Sequence, residues 1–129
     1  MKRDMELVRE LLLKIADAEK PPNFSALVAG RKENTPEYKF AAYHMKMLIN
    51  EVQLVRGIDC CAIGGDEWLD LHLTWRGNDY LANIRDQTVW DKTKAGAQKL
   101  GGDSWDIIIE IAKSYVKAEA KKRLGLDLS

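Results

Sequence analysis

Apolar residues recur at three- and four-residue intervals in three stretches, which is the pattern of amphipathic helices. The first helix begins after Asp4, a good N-cap, and stops at the proline pair of residues 21 and 22. A second is predicted at about 36 to 51, because Thr35-Pro36-Glu37 is a strong helix start. The last starts at Asp103 or Ser104 and runs to about Leu124. The predicted core positions are Met5, Val8, Leu11, Leu12, Ile15 and Ala18, then Tyr38, Ala41, Ala42, Met45, Leu48, Ile49 and Val52, and finally Trp105, Ile108, Ile109, Ala112 and Val116.

Residues 58 to 75 change to the period of two that is typical of strands. Ile58 to Ile63, the Gly64-Gly65 break and Glu67 to Trp75 predict a β-hairpin. Its two faces would carry Leu69, Leu71 and Leu73 on one side and Trp68, Asp70, His72 and Thr74 on the other.

The remaining segments are predicted more simply. Phe24 to Ala29 fits a short strand, and a helix is expected from Asn78 to roughly Leu100, kinked near Gln87 and ended by Gly101-Gly102. We expect Trp75, Trp90 and Trp105 to hold the C-terminal helices onto the rest of the fold.

Helix, short strand, helix, hairpin, helix is the element order of a winged helix-turn-helix domain. The predicted fold class is therefore α+β, mainly α, with a winged helix-turn-helix-like core, a β-hairpin wing and additional C-terminal helices. One domain of residues 1–129 is expected, with the core at about 1–86 and a helical extension at about 87–129. Residues 22 to 35 leave little room for a separate positioning helix, and Gln53 stands where a winged-helix exit usually has glycine.

Composition narrows the protein class. Charged residues make up 31% of the chain, and no apolar run approaches the ~20 residues of a membrane helix. The N-terminus lacks a secretory h-region, and the adjacent Cys60 and Cys61 fit a reducing compartment. A cytoplasmic protein without membrane attachment is expected.

The formal net charge is +0, but its distribution is uneven. Residues 1 to 56 sum to +2, residues 57 to 91 to −5, and residues 92 to 129 to +3. The zero total argues against a protein that coats nucleic acid indiscriminately, and the predicted hairpin lies in the acidic middle.

The polar side of the second helix is the first candidate site. Lys39, Tyr43, Lys46 and Asn50 fall on one stripe opposite its apolar face. Lysine can bond guanine acceptors, asparagine can pair with adenine, and tyrosine reaches phosphate or base edges. Upstream, Arg31 and Lys32 are candidate phosphate contacts. The same residues would also serve as an ordinary solvated surface.

The hairpin carries the second candidate site. The carboxylates of Asp66, Glu67 and Asp70 would repel DNA phosphates if the wing approached them. With an exposed Trp68 they would make a protein-binding surface. If Trp68 instead packs over a second layer, the hairpin is an ordinary solvated one.

Other kinds of site find little support. Adjacent cysteines on a strand point to opposite faces, so Cys60 and Cys61 do not easily ligate one metal, and His44 reads as a surface or satisfied core residue. No catalytic motif is present, so neither an enzyme nor a cofactor is expected.

Three phrases resemble a known family as a set: MKRDMELVR, AAYHMKMLINEVQLVRG and LTWRGNDYLANIRDQTVWDKTK. The chain is similar in these to the bacterial and prophage family called domain of unknown function 2513. The resemblance implies a phage or prophage context and a winged-helix-like core, and it brings no assigned activity or catalytic residues.

Two functions follow as hypotheses. The first is a phage or prophage-type winged-helix protein that binds double-stranded DNA, as a homodimer, to regulate transcription. The alternative is a winged-helix module that binds a host protein through the acidic hairpin.

Overall fold

Helices dominate the computed structural model, which describes residues 2–61, 65–101 and 104–125. The predicted class, α+β and mainly α with one β-hairpin, is confirmed. None of the described helices has both the length and the apolar character that a membrane crossing requires. The elements are α1 (Met5–Asp17), α2 (Phe24–Leu27), α3 (Pro36–Asn50), β1 (Val55–Asp59), β2 (Trp68–Leu73), α4 (Trp75–Ile84), α5 (Gln87–Lys99) and α6 (Trp105–Leu124).

The backbone groups into two compact units, Met1–Asp79 and Tyr80–Ser129. The first contains α1, α2, α3 and the hairpin, and the second contains α5 and α6. Helix α4 begins in the first unit and ends in the second. The candidate site residues of the sequence all lie in the first unit.

Helix α1 begins as predicted. The Asp4 carboxylate accepts hydrogen bonds from the backbone N–H groups of Glu6 at 3.0 Å and Leu7 at 3.3 Å. The predicted core residues are buried except Ala18, which is exposed. Ala18 was wrongly placed because the helix ends at Asp17, so Ala18 is already extended and has left the helical stripe.

The short strand predicted at Phe24 to Ala29 is wrong, because this segment forms the single helical turn α2. The N–H of Leu27 bonds the Asn23 carbonyl at 3.0 Å, and the N–H of Val28 bonds the Phe24 carbonyl at 3.0 Å. This four-residue bonding pattern buries Phe24, Leu27 and Val28 on one side. Residues 22 to 35 therefore hold one helical turn before α3.

Helix α3 begins and ends close to the prediction. The Thr35 hydroxyl accepts the Tyr38 N–H at 3.3 Å, and Pro36 occupies the first turn. Five predicted core residues are buried, while Ile49 and Val52 are half-buried. The buried five are Tyr38, Ala41, Ala42, Met45 and Leu48.

The hairpin is antiparallel, with Val55 opposite Leu73 and Ile58 opposite Leu69. Between these pairs Gly57 faces two residues of β2, one of which is Asp70 in the left-handed region at φ 57°. This β-bulge shifts the side-chain alternation by one position. The predicted faces of β2 are therefore wrong. Trp68 and Leu71 are both buried, whereas Leu69 and Leu73 are half-buried, and Ile63 and Gly64 lie outside the described residues.

The kinked helix predicted from Asn78 is two helices. Helix α4 starts three residues earlier, because the Thr74 hydroxyl accepts the Gly77 N–H at 3.0 Å. Asp86 then adopts an extended conformation and caps α5 through the Val89 N–H at 2.9 Å. An extended residue interrupts the helical hydrogen bonds, so the helix ends and a new helix begins, instead of one helix bending. Gly101 follows α5 with φ 72°, as the predicted end requires. Gly102 and Asp103 lie outside the described residues.

In the second unit, α5 packs against α6. Trp90 is fully buried, and the Tyr80 and Trp105 rings lie 5.1 Å apart. Trp105, Ile108, Ile109 and Ala112 are buried as predicted, and Val116 is half-buried.

Trp75 does not have the packing role predicted for it, since its side chain is 86% exposed. It is the first residue of α4, whose buried side is formed by Gly77, Leu81 and Ile84.

Candidate nucleic-acid interface

The polar stripe of α3 faces solvent. Lys39, Lys46 and Asn50 are exposed and Tyr43 is half-buried, at spacings of four, three and four residues. The opposite side of the helix is packed, so the direction of these side chains is fixed by burial of the apolar face. The geometric expectation that these lysines lie at the surface is confirmed; their contact with DNA stays a prediction.

Lys46 is engaged by the hairpin. Its ammonium lies 3.1 Å from the Asp66 carboxylate, and the two side chains are 51% and 25% exposed. The Asp66 carbonyl in turn accepts the Tyr38 hydroxyl at 2.7 Å. The start of the second strand is thus tied to α3 at two points, one ionic and one neutral.

Arg31 and Lys32 lie in the loop before α3. The Arg31 guanidinium donates to the Glu37 carbonyl at 3.1 Å, which holds it beside the first turn of the helix. Lys32 is exposed, and its carbonyl accepts the Thr35 hydroxyl at 2.5 Å. Both cations therefore lie near the N-terminus of α3, where the free backbone N–H groups of the first turn also attract anions.

The acidic hairpin surface differs from the expectation at Trp68, and its role in protein binding stays a prediction. Trp68 is 1% exposed, so the expectation of an exposed indole is wrong and the packed alternative is confirmed. The bulge at Asp70 directs Trp68 to the same side as Leu71. Its ring meets Phe24 edge-on at 5.1 Å, and Phe24 meets Tyr38 in the same way at 5.2 Å.

The carboxylates of this surface have different environments. Glu67 accepts the N–H of Ser25 at 3.1 Å and that of Trp68 at 3.0 Å, so it caps α2 from the hairpin. Asp66 is paired with Lys46, and Asp70 is exposed. Two of the three carboxylates therefore bond other parts of the fold, Asp66 to α3 and Glu67 to α2.

A cavity of about 270 Å³ lies beside these residues, lined by Glu33, Tyr38, Cys60, Asp66 and Glu67 among others. Burial, followed by repulsion from Glu67 and the other nearby acids, raises the pKa of Tyr38 to about 12. The phenol is therefore neutral at pH 7, and its hydroxyl donates the hydrogen bond to the backbone carbonyl of Asp66.

Hydrogen bonds and burial also shift the pKa values of two groups near the hairpin turn. The Cys61 N–H, 2.8 Å from Asp59, lowers the pKa of that carboxyl, with the Cys61 thiol contributing. Burial, then the bond to Asp59, raises the pKa of the Cys61 thiol. Within residues 2–61, 65–101 and 104–125, no histidine, cysteine and carboxylate side chains form a group of three able to hold a metal ion.

The sequence left two placements open for His44, the surface or the core, and the structure shows a core residue with both ring nitrogens hydrogen-bonded. It is fully buried, and both ring nitrogens have partners, the Asp4 N–H and the Phe40 carbonyl, each at 2.8 Å.

The contacts of Lys46 and Glu67 with the opposite element were missed from the sequence. They join residues 20 and 42 positions apart, and no local spacing signals such pairs. The left-handed Asp70 was missed because glycine, the usual signal, is absent there.

Comparison with known proteins gives one relative, which is described as uncharacterised. An uncharacterised protein of Haemophilus influenzae (strain ATCC 51907 / DSM 11121 / KW20 / Rd) is 30% identical over 117 residues, which cover 90% of this chain and 96% of that protein. No solved structure matches. The family model described as "Hypothetical protein (DUF2513)" matches residues 2–103. The chain belongs to the DUF2513 family, as its three phrases indicated.

Proposed function

We propose that this protein is a cytoplasmic, non-enzymatic DNA-binding regulator of the winged-helix type, in a phage or prophage context. The observation that carries the proposal is the polar stripe of α3, which points Lys39, Tyr43, Lys46 and Asn50 to solvent from a packed helix. The stripe extends over about 16 Å at 1.5 Å per residue, so it fits along a major groove.

The chemistry of the stripe suits a duplex. Its lysines are donors for guanine acceptors and phosphates, and Asn50 has the donor–acceptor pair that recognises adenine. Arg31 and Lys32 lie beside the N-terminus of α3 and would contact the DNA backbone in this proposal. The helical turn α2 before α3 also supports the proposal, because a helix precedes the reading helix in helix-turn-helix domains.

Fluorescence anisotropy with a mixed pool of host and phage duplexes tests the proposal, from low to physiological salt. We expect binding that weakens steeply with salt. Replacing both Lys39 and Lys46 by alanine should weaken it about tenfold at low salt and reduce the salt slope by roughly two. Lys99→Ala with Lys113→Ala removes the same charge from α5 and α6 and is the matched control. No binding by the wild type at low salt would remove the proposal.

We further propose that the protein acts as a homodimer, because paired reading helices recognise two half-sites. The exposed apolar side chains of Ile107 and Leu124 on α6 support a contact through this helix. Light scattering at micromolar concentration should give about twice the mass of one chain. A monomer mass throughout would contradict this.

A further inference from the structure

A carboxylate of the hairpin, Asp66, lies against the proposed DNA-reading stripe and would compete with DNA for one of its lysines. Lys46 Nζ lies 3.1 Å from a carboxylate oxygen of Asp66, and Lys39, on the same stripe, is exposed. We propose that Asp66 restrains Lys46 and so lowers the affinity of α3 for DNA. This inference rests on the proposed function, and it assigns to the hairpin a regulatory part in that function.

The position of Asp66 is fixed by its neighbours. Its carbonyl accepts the buried Tyr38 hydroxyl at 2.7 Å, and the next residue, Glu67, caps α2 through the Ser25 N–H at 3.1 Å. The main chain at Asp66 is therefore anchored to α2 and α3. Its side chain is only 25% exposed, so the carboxylate has little room to swing away when another anion approaches.

Lys46 is the more exposed member of the pair, with a long, flexible side-chain type that is 51% exposed. A phosphate or base acceptor that approaches it must displace Asp66 or lie close to that carboxylate. Both alternatives oppose binding, the first through the lost ion pair and the second through like-charge repulsion. Removal of the Asp66 charge should therefore release Lys46 for DNA.

The first experiment compares duplex binding by the wild type and Asp66→Asn, using the same pool at fixed low salt. The asparagine keeps the shape of the side chain, and the backbone carbonyl that accepts the Tyr38 hydroxyl is unchanged. We expect Asp66→Asn to bind about 3- to 10-fold more tightly. Asp66→Ser is a second variant with the same expectation, should the asparagine variant be poorly folded by circular dichroism.

Asp70→Asn is the matched control. It makes the same charge change on the same hairpin, at an exposed residue whose φ of 57° suits asparagine. We expect less than about a twofold change in affinity, because only the general charge of the hairpin changes.

Lys46→Met separates the proposed restraint from general repulsion. In this background Asp66→Asn should have little effect, since the lysine to be released is absent. Tighter binding by Asp66→Asn, lost with Lys46→Met, supports the inference. Wild-type binding that Asp66→Asn leaves unchanged or weakens, or a gain that persists with Lys46→Met, would overturn it. If neither the wild type nor Asp66→Asn binds DNA, the proposed function fails instead.

Discussion

The buried imidazole of His44 accepts a hydrogen bond from the backbone N–H of Asp4, 2.8 Å from its Nε2 atom. Its other nitrogen, Nδ1, lies 2.8 Å from the Phe40 carbonyl within the same helix. These two partners assign the proton to Nδ1, because Nε2 must be an acceptor. One side chain of α3 thus fixes the residue that caps α1, and the two helices are joined by a directional contact.

His44→Ala should destabilise the fold by about 2–4 kcal/mol, since it leaves a cavity and removes the partner of the Asp4 N–H. Urea unfolding measures the change. His72→Ala is the control, because His72 is exposed and its Nδ1 lies 2.9 Å from the carbonyl of the nearby Asp70. We expect this control within about 0.5 kcal/mol of the wild type. Equal losses in the two variants would contradict the role of His44.

Gly77 permits a close approach between α4 and the chain after α3. A Cβ atom at this position would lie 2.0 Å from the Leu54 carbonyl oxygen, the same oxygen that accepts the Thr74 N–H at 3.0 Å. Gly77→Ala should therefore cost about 3 kcal/mol or more, because a main-chain atom must move. Gly30→Ala, where a Cβ meets nothing within 4 Å, is the control for denaturant unfolding. A stable Gly77→Ala variant would show that α4 does not approach the Leu54 carbonyl this closely.

Gln53 has the left-handed conformation, at φ 55°, that a winged-helix exit usually gives to glycine. The residue type departs from the winged-helix pattern, but the backbone conformation does not. Gln53→Gly should therefore stabilise the protein by about 0.5–1 kcal/mol, through relief of steric strain. In thermal unfolding, Gln98→Gly inside α5 should act in the opposite direction, by about 1 kcal/mol. A loss of stability with Gln53→Gly would mean that the contacts of the Gln53 side chain stabilise the protein by more than its backbone strain costs.

Local chemistry explains which elements the sequence could predict. Asp4 and Thr35 mark helix starts through bonds made within three residues, and Pro36 does so through its fixed φ. The apolar stripes of α1 and α3 need only the helical repeat. The faces of both helices and the outward direction of Lys39 and Lys46 were therefore accessible from the sequence.

Contacts between distant residues explain the errors. The turn α2 is capped by Glu67, 42 positions beyond Ser25, so the local sequence of Phe24 to Ala29 lacks this stabilising partner. The burial of Trp68 depends on a bulge at Asp70, where glycine, the usual sequence signal for positive φ, is absent. The pairing of Lys46 with Asp66, which alters the candidate site most, likewise joins two separate elements.

Trp75 should dominate the solvent-accessible fluorescence of the protein. It is 86% exposed, whereas Trp68, Trp90 and Trp105 are 1%, 0% and 9% exposed. Trp75→Phe should therefore remove most quenching by iodide and shift the emission to shorter wavelength. Trp105→Phe is the control and should leave the quenched fraction largely unchanged. If iodide quenched the wild type and Trp75→Phe to the same extent, the indole of Trp75 would be packed and not exposed to solvent.

Tyr38 should make stability depend on alkaline pH. Burial and neighbouring acids raise its pKa to about 12, above the ordinary value of 10.0. The fold therefore favours the neutral phenol, and this contribution is complete below pH 10 and is lost as pH rises through about 12. Tyr38→Phe should cost about 1 kcal/mol at pH 7, through the lost bond to Asp66, and should reduce the alkaline loss by roughly 1–3 kcal/mol.

Urea unfolding from pH 8 to 12 measures this difference between Tyr38→Phe and the wild type. Tyr43→Phe, a half-buried position on the same helix, controls for general alkaline effects. Because lysines also lose charge in this range, the difference between variants is informative and the absolute decline is not. Parallel curves for Tyr38→Phe and the wild type would mean that the Tyr38 phenol ionises as readily in the fold as in the unfolded chain. The buried bond to Asp66 would then be too weak to anchor the hairpin on α3.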